Sequence, residues 1–308
     1  MADDTSDNTA DTQSNSHPDK NSKSNSKKTD HEDAGVNNTT DMSSNDEKAE
    51  PQVSAGPGQD WMDDLQICVM FLTRIPVPGG LALSHPSLAH ACRFFPIIGA
   101  LVGVIGAVVL AIADQLGLPQ GVSVLLAITA MVMVTGGLHE DGLSDTADGL
   151  GGGSNKRHRL EIMKDSRAGA FGVIALVLVI GLKWAGLAAL AIGPAALALF
   201  VGAVASRGML PFFMRYLQAA KEDGLSAEAG RPGFDRVALS LGISIVVAFI
   251  GLGFWLTIGV AFVVALVTGA MSFWVKVKIG GQTGDILGAL QQLVEISVIL
   301  TIAAAAAS

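Results

Sequence analysis

Seven long apolar stretches occupy most of the chain after residue 93, and they leave few folds open. They run over residues 94–113, 122–138, 171–191, 193–213, 237–256, 258–275 and 286–307. Each reaches or approaches the roughly 20 residues that a helix needs to cross a bilayer; the second and sixth are the shortest. All are rich in Gly and Ala, which lets helices approach closely inside a membrane. A soluble helical bundle would need polar faces that these segments lack. Charged residues make up only 16% of the chain, against about 25% in soluble domains. The expected fold is all-α: a polytopic integral membrane helical bundle of about seven transmembrane helices.

Two segments stand outside that pattern. Residues 1–59 form an acidic, polar N-terminal tail whose low hydrophobicity and excess charge predict disorder. Residues 1–60 hold 13 acids and 5 lysines, so they carry the whole net charge of −8. The other 248 residues balance 15 acids against 15 bases, which excludes an electrostatic nucleic-acid binder. Residues 60–308 are then the membrane-embedded catalytic domain. Its first helix opens at Asp60 with acids where the helix dipole favours them. The apolar run 65–72 ends at Arg74 and Pro76 and is too short to span, so it reads as an interfacial or re-entrant helix. Whether residues 61–93 cap a site from the cytoplasm or dip into the bilayer stays open. Cys68 and Cys92 are the only cysteines, which excludes a disulfide scaffold.

Loop charge sets orientation. Residues 114–121, the turns at 192–193 and 257–259 and the C-terminal end carry no Lys or Arg. The alternate connections carry Lys156, Arg157, Arg159, Lys164 and Arg167, then Arg215, Lys221, Arg231 and Arg236, then Lys276 and Lys278. Basic loops stay cytoplasmic, so the N-terminus is expected inside and the C-terminus outside.

One of those cytoplasmic connections begins with the densest polar run, His139-Glu140-Asp141-Gly142-Leu143-Ser144-Asp145-Thr146-Ala147-Asp148-Gly149. Asp141, Asp145 and Asp148 follow i, i+4, i+7 spacing and so share one helix face. Like charges this close repel unless a cation lies among them. Hard oxygen ligands with no cysteine nearby point to Mg²⁺ or Mn²⁺. Arg167, in a tight turn before the next span, reads as a ligand contact, whereas Lys156, Arg157 and Arg159 read as orientation signals. Arg207 and Asp285 lie at the depth of the acidic run and fit a site for a diphosphate. Glu295 lies deeper, and Lys183 is expected to snorkel to the outer interface without a role.

These motifs together resemble cobalamin synthase, the adenosylcobinamide-GDP ribazoletransferase family of membrane enzymes. The resemblance rests on Phe71-Leu72-Thr73-Arg74-Ile75-Pro76-Val77-Pro78, Phe95-Pro96-Ile97-Ile98-Gly99, the run from His139 to Gly149, and Leu160 to Arg167 with Gly169 and Gly172. Ser206-Arg207, Gly224-Leu225 and Gly280 to Asp285 with Gly288 complete it. Ser144 stands where the family usually has alanine. The resemblance covers the chain from about residue 61 onward. It implies an Mg²⁺-dependent phosphotransferase of the bacterial cytoplasmic membrane that joins adenosylcobinamide-GDP to α-ribazole or α-ribazole 5′-phosphate. Adenosylcobalamin, or its 5′-phosphate, and GMP would be the products. The implied catalytic residues are Asp141, Asp145, Asp148 and Asp285, with Asp141, Asp145 and Asp148 on the metal. Arg74, His139, Asp165, Ser166, Arg167 and Arg207 would contact substrate. A homo-oligomer is left open. The alternatives are a CDP-alcohol-type phosphotransferase of lipid synthesis and a cation-coupled transporter, although the acids gather at one face rather than at the midplane where transporter sites lie.

Overall fold

The computed structural model describes residues 57–77, 88–165, 167–221 and 229–307. Residues 1–56 of the expected tail, Ser166 and the Gly224-Leu225 motif lie outside them, and residues 57–59, expected in the tail, begin α1 instead. The described residues fold into helices: α1 Pro57–Leu72, α2 Leu88–Ala91, α3 Phe95–Gln115, α4 Gln120–Thr135, α5 Leu138–Gly152, α6 Lys156–Ile162, α7 Ala170–Ala188, α8 Ile192–Tyr216, α9 Phe234–Ile279 and α10 Gly284–Ala307. A single bridge between Ala219 and Gln282 is the only strand-like pairing among the described residues.

The all-α membrane fold read from hydropathy is the fold found, and every apolar stretch lies almost wholly within a helix. Five helices are long and apolar enough to cross a bilayer, or six if the bent pair α4–α5 counts as one span. The expected number was about seven. Part of the difference lies in α9, which carries two of the stretches in 46 residues. A straight helix of that length would part its ends by about 69 Å. Yet Arg215 donates to the Pro232 carbonyl before α9 begins, and Gln282, after it ends, donates to Met214 and Leu217. Both ends therefore lie beside the C-terminal end of α8, and the chain reverses within α9. The reversal falls at Gly253, whose φ of 74° and ψ of 179° break the helix, several residues before the turn expected at 257–259. With no side chain, glycine enters that region at little cost.

Small residues set the packing. A methyl placed on Gly99 would collide with the Ala203 carbonyl, and one on Gly103 would lie 2.8 Å from the Phe200 Cα, so α3 lies directly on the α8 backbone. The stretch 122–138 ends at Gly136 and Gly137, both left-handed at φ 66° and 70°. They turn the chain by 89° from α4 into α5. Helix α1 spans only 16 residues, about 24 Å, and is absent from the long apolar set. It is tied down through buried Asp64, which accepts from Arg93 at 2.6 Å and pairs with His90 at 3.0 Å. Cys68 and Cys92 are free and buried.

Candidate active site

Helices α5 and α10 cross where two glycines face each other. A methyl on Gly142 would lie 2.8 Å from the Asp285 carbonyl, and one on Gly288 would lie 3.2 Å from the Gly142 Cα. This contact brings Asp285, at the start of α10, against the aspartate helix. Thr283 opens α10 by accepting from the Ile286 N–H, and its hydroxyl donates to the Asp285 carboxylate at 3.2 Å. Asp145 then has Asp141, Asp285 and Asp148 as like-charged neighbours. Asp141, Asp285 and His139 line a cleft of about 200 Å³. Lys221, beyond the end of α8, is close enough for its charge to act on Asp285.

The face of three aspartates is not a uniform one. Asp148 is buried, and its two oxygens accept from the backbone N–H groups of Gly169 at 2.7 Å and Gly172 at 2.9 Å. Those donors belong to the first turn of α7, so Asp148 supplies the acceptors a helix start requires. Gly172 also lies against Ser144, where a larger side chain would have no room. Among the described residues, no three His, Cys, Asp or Glu side chains are grouped so as to hold an ion by themselves. That holds for Asp141, Asp145 and Asp148 and equally for Asp141, Asp145 and Asp285, and Asp148 is in addition engaged by the α7 backbone. Asp141 and Asp285 are the carboxylates whose charges act most on Asp145. Mg²⁺ commonly takes one or two carboxylates and completes its shell with water and substrate phosphate. The donor set fits a cation shared with a phosphate and does not fit one enclosed by protein alone.

The other expected contacts fall in different places. Arg74 is exposed and lies over Gly136 at the α4–α5 turn, with its N–H donating to the Val134 carbonyl at 2.7 Å. Arg167 forms a two-pronged pair with Asp165, at 3.0 and 2.6 Å, on the surface between α6 and α7. That pairing holds the Asp165 carboxyl below its ordinary range. Neither residue lines the cleft.

Arg207 is drawn into a group that the sequence did not disclose. Lys183 is not at an interface but 4% exposed, and its ammonium donates to Gln292 at 2.7 Å and Glu295 at 2.8 Å. Arg207 pairs with the other Glu295 oxygen at 3.5 Å. Gln291 donates to Glu295 and, at 2.9 Å, to Ser206. Gln292 donates to Glu140 at 2.9 Å, which ties the group to the aspartate helix. The snorkelling expected of Lys183 fails because Glu295 on α10 faces it inside the bundle, and pairing there offsets the cost of a buried charge. An ionisable residue deep in a span was the available signal. Its partner could not be read from the chain.

The fold and the acidic group define an all-α membrane protein with neighbouring carboxylates at one end of its helices. The chain belongs to the cobalamin-5-phosphate synthase family, which matches residues 64–303. It is similar to the adenosylcobinamide-GDP ribazoletransferase of Bradyrhizobium diazoefficiens, 43% identical over 244 residues, covering 78% of this chain and 93% of the relative. The enzyme of that name from Mesorhizobium japonicum is 43% identical over 265 residues, with 84% and 99% covered. That of Azorhizobium caulinodans is 43% identical over 250 residues, with 77% and 94% covered. No solved structure matches the chain.

Proposed function

We propose that this protein joins adenosylcobinamide-GDP to α-ribazole, or to its 5′-phosphate, in the synthesis of cobalamin. The ribose 3′-hydroxyl attacks the cobinamide-side phosphorus, GMP departs, and adenosylcobalamin or its 5′-phosphate forms. The observation that supports this most is the approach of Asp285 to Asp141 and Asp145 across the Gly142–Gly288 contact, with Asp141 and Asp285 lining a cleft.

These carboxylates have roles that follow from their placement. One receives the proton of the attacking hydroxyl, since a positioned carboxylate within reach of that oxygen is a competent base. Asp141 and Asp145, with Asp285 beside them, are the residues that would hold Mg²⁺. Bound there, the ion would neutralise charge on the diphosphate and on the departing GMP. Lys221 adds a positive charge on the same side. Asp148 acts at one remove, by fixing the start of α7 against α5. The test uses the detergent-solubilised full chain with adenosylcobinamide-GDP, α-ribazole and Mg²⁺. Released GMP with a corrinoid product is the expected result, and folded protein that yields neither sinks the reading.

We also assign the site to the cytoplasmic face of a bacterial inner membrane. Arg159 on α6 donates to the Lys278 carbonyl and Lys221 to Leu160, so basic segments assemble at the same end of the molecule as Asp285. A cysteine placed at Arg157 in a background without Cys68 and Cys92 should resist an impermeant thiol reagent in sealed cells. One at Gln115 should react. The opposite pattern would invert the orientation.

A further inference from the structure

The cleft beside the aspartates has a chemistry that the acidic group does not explain. Its walls are apolar: Phe71 from α1, Phe95 from α3, Leu210 and Met214 from α8, and Leu287 from α10. The Phe71 and Phe95 rings stack with centroids 6.5 Å apart and planes 11° from parallel. Charge enters its lining only through Asp141, which is exposed, and Asp285, which is half-buried. A pocket with apolar walls and a few polar groups at one end takes a ligand that is apolar at one end and polar at the other.

We propose that this cleft is the acceptor subsite, and that it takes the benzimidazole ring of the ribosyl acceptor ring-first. The inference rests on the function proposed above and adds which substrate the cleft receives. Of the moieties brought together in that reaction, the corrin is far too large for about 200 Å³. Guanine has a polar edge that these walls would leave without hydrogen bonds, at a cost. The dimethylbenzimidazole is flat, aromatic and apolar along the edge that carries its methyl groups. With that edge against Phe95, Leu210 and Met214, the ribose lies beside Asp141 and Asp285, where its 3′-hydroxyl meets the carboxylates. The diphosphate donor then approaches from outside the cleft, on the side of Lys221.

The orientation predicts a dependence on the acceptor that needs no variant. Each buried methyl contributes about 0.8 kcal/mol, so ribosyl-benzimidazole without the two methyls should show a KM about 15-fold higher than α-ribazole. KM for adenosylcobinamide-GDP should not change. On the protein side, Leu210→Trp and Met214→Trp fill the cleft. Either should raise KM for α-ribazole about 10-fold or more, because a full pocket cannot repack without strain, and leave KM for adenosylcobinamide-GDP within about 2-fold. Both measurements use full-length protein in detergent, and titration with α-ribazole alone reads binding separately from turnover. If wild-type protein makes no product, the underlying function fails, whatever the titration shows. If wild-type protein turns over normally while the methyl groups and the Trp variants leave KM for α-ribazole unchanged, the cleft is not the acceptor subsite. A rise in KM for adenosylcobinamide-GDP instead would give the cleft to the donor and equally overturn the proposal.

Discussion

Helix α10 carries charge at two depths, Asp285 and Glu295, and the groups around them behave oppositely. At the end of the bundle, Asp141, Asp145 and Asp285 face one another with one lysine charge acting from a loop. About three turns deeper along α10, Glu295 is matched on both oxygens by Lys183 and Arg207 and approached by Gln291. The deep group is neutralised by the fold itself. The shallow group is not, and carboxylates that repel one another are tolerated where a ligand completes them. Position on the same helix therefore does not decide the role. The balance of charge does.

The largest expected effect tests the deep group. Glu295→Gln keeps the shape and leaves Lys183 and Arg207 buried without their counter-charge, which should cost about 3–5 kcal/mol of stability. Thermal unfolding in detergent should show the loss, while turnover per folded molecule stays near wild type. A variant of unchanged stability that has lost turnover would move this group into the active site. The shallow group should show the reverse. Asp141→Asn, Asp145→Asn or Asp285→Asn should lower turnover by about 10²–10³-fold, the usual scale for one preorganised electrostatic contact, with unfolding temperature held or raised as repulsion is relieved. Near-normal turnover of all three at limiting Mg²⁺ would remove the site from these residues.

Asp148 sharpens the comparison, because it shares the sequence motif of the shallow group and the satisfied state of the deep one. Asp148→Ala removes a helix cap and should cost about 0.5–2 kcal/mol. The Mg²⁺ concentration for half-maximal activity should stay where it is in wild type. A shift like that of Asp145→Asn would return Asp148 to the ion. The smallest effect belongs to Glu161→Gln, which breaks only an exposed pair with Arg157. Neither turnover nor unfolding should change measurably.

Apolar length and loop charge were enough to read an all-α membrane protein, since bilayer thickness and backbone hydrogen bonding impose them locally. The motif from His139 to Gly149 located the aspartate helix and its family, because i, i+4, i+7 spacing is a property of one helix. Glycines at 142 and 288 stood in those motifs, but their face-to-face contact joins segments 146 residues apart. The motifs had put Asp285 with the acidic run; only the tertiary structure decided that it arrives there across the Gly142–Gly288 contact, that Asp148 turns to the first turn of α7, and that Lys183 and Arg207 close on Glu295. The physical reason is that a carboxylate's function depends on which donor or charge lies within a few ångströms. Helix periodicity sets neighbours along one helix, whereas the close approach of small residues sets neighbours between helices.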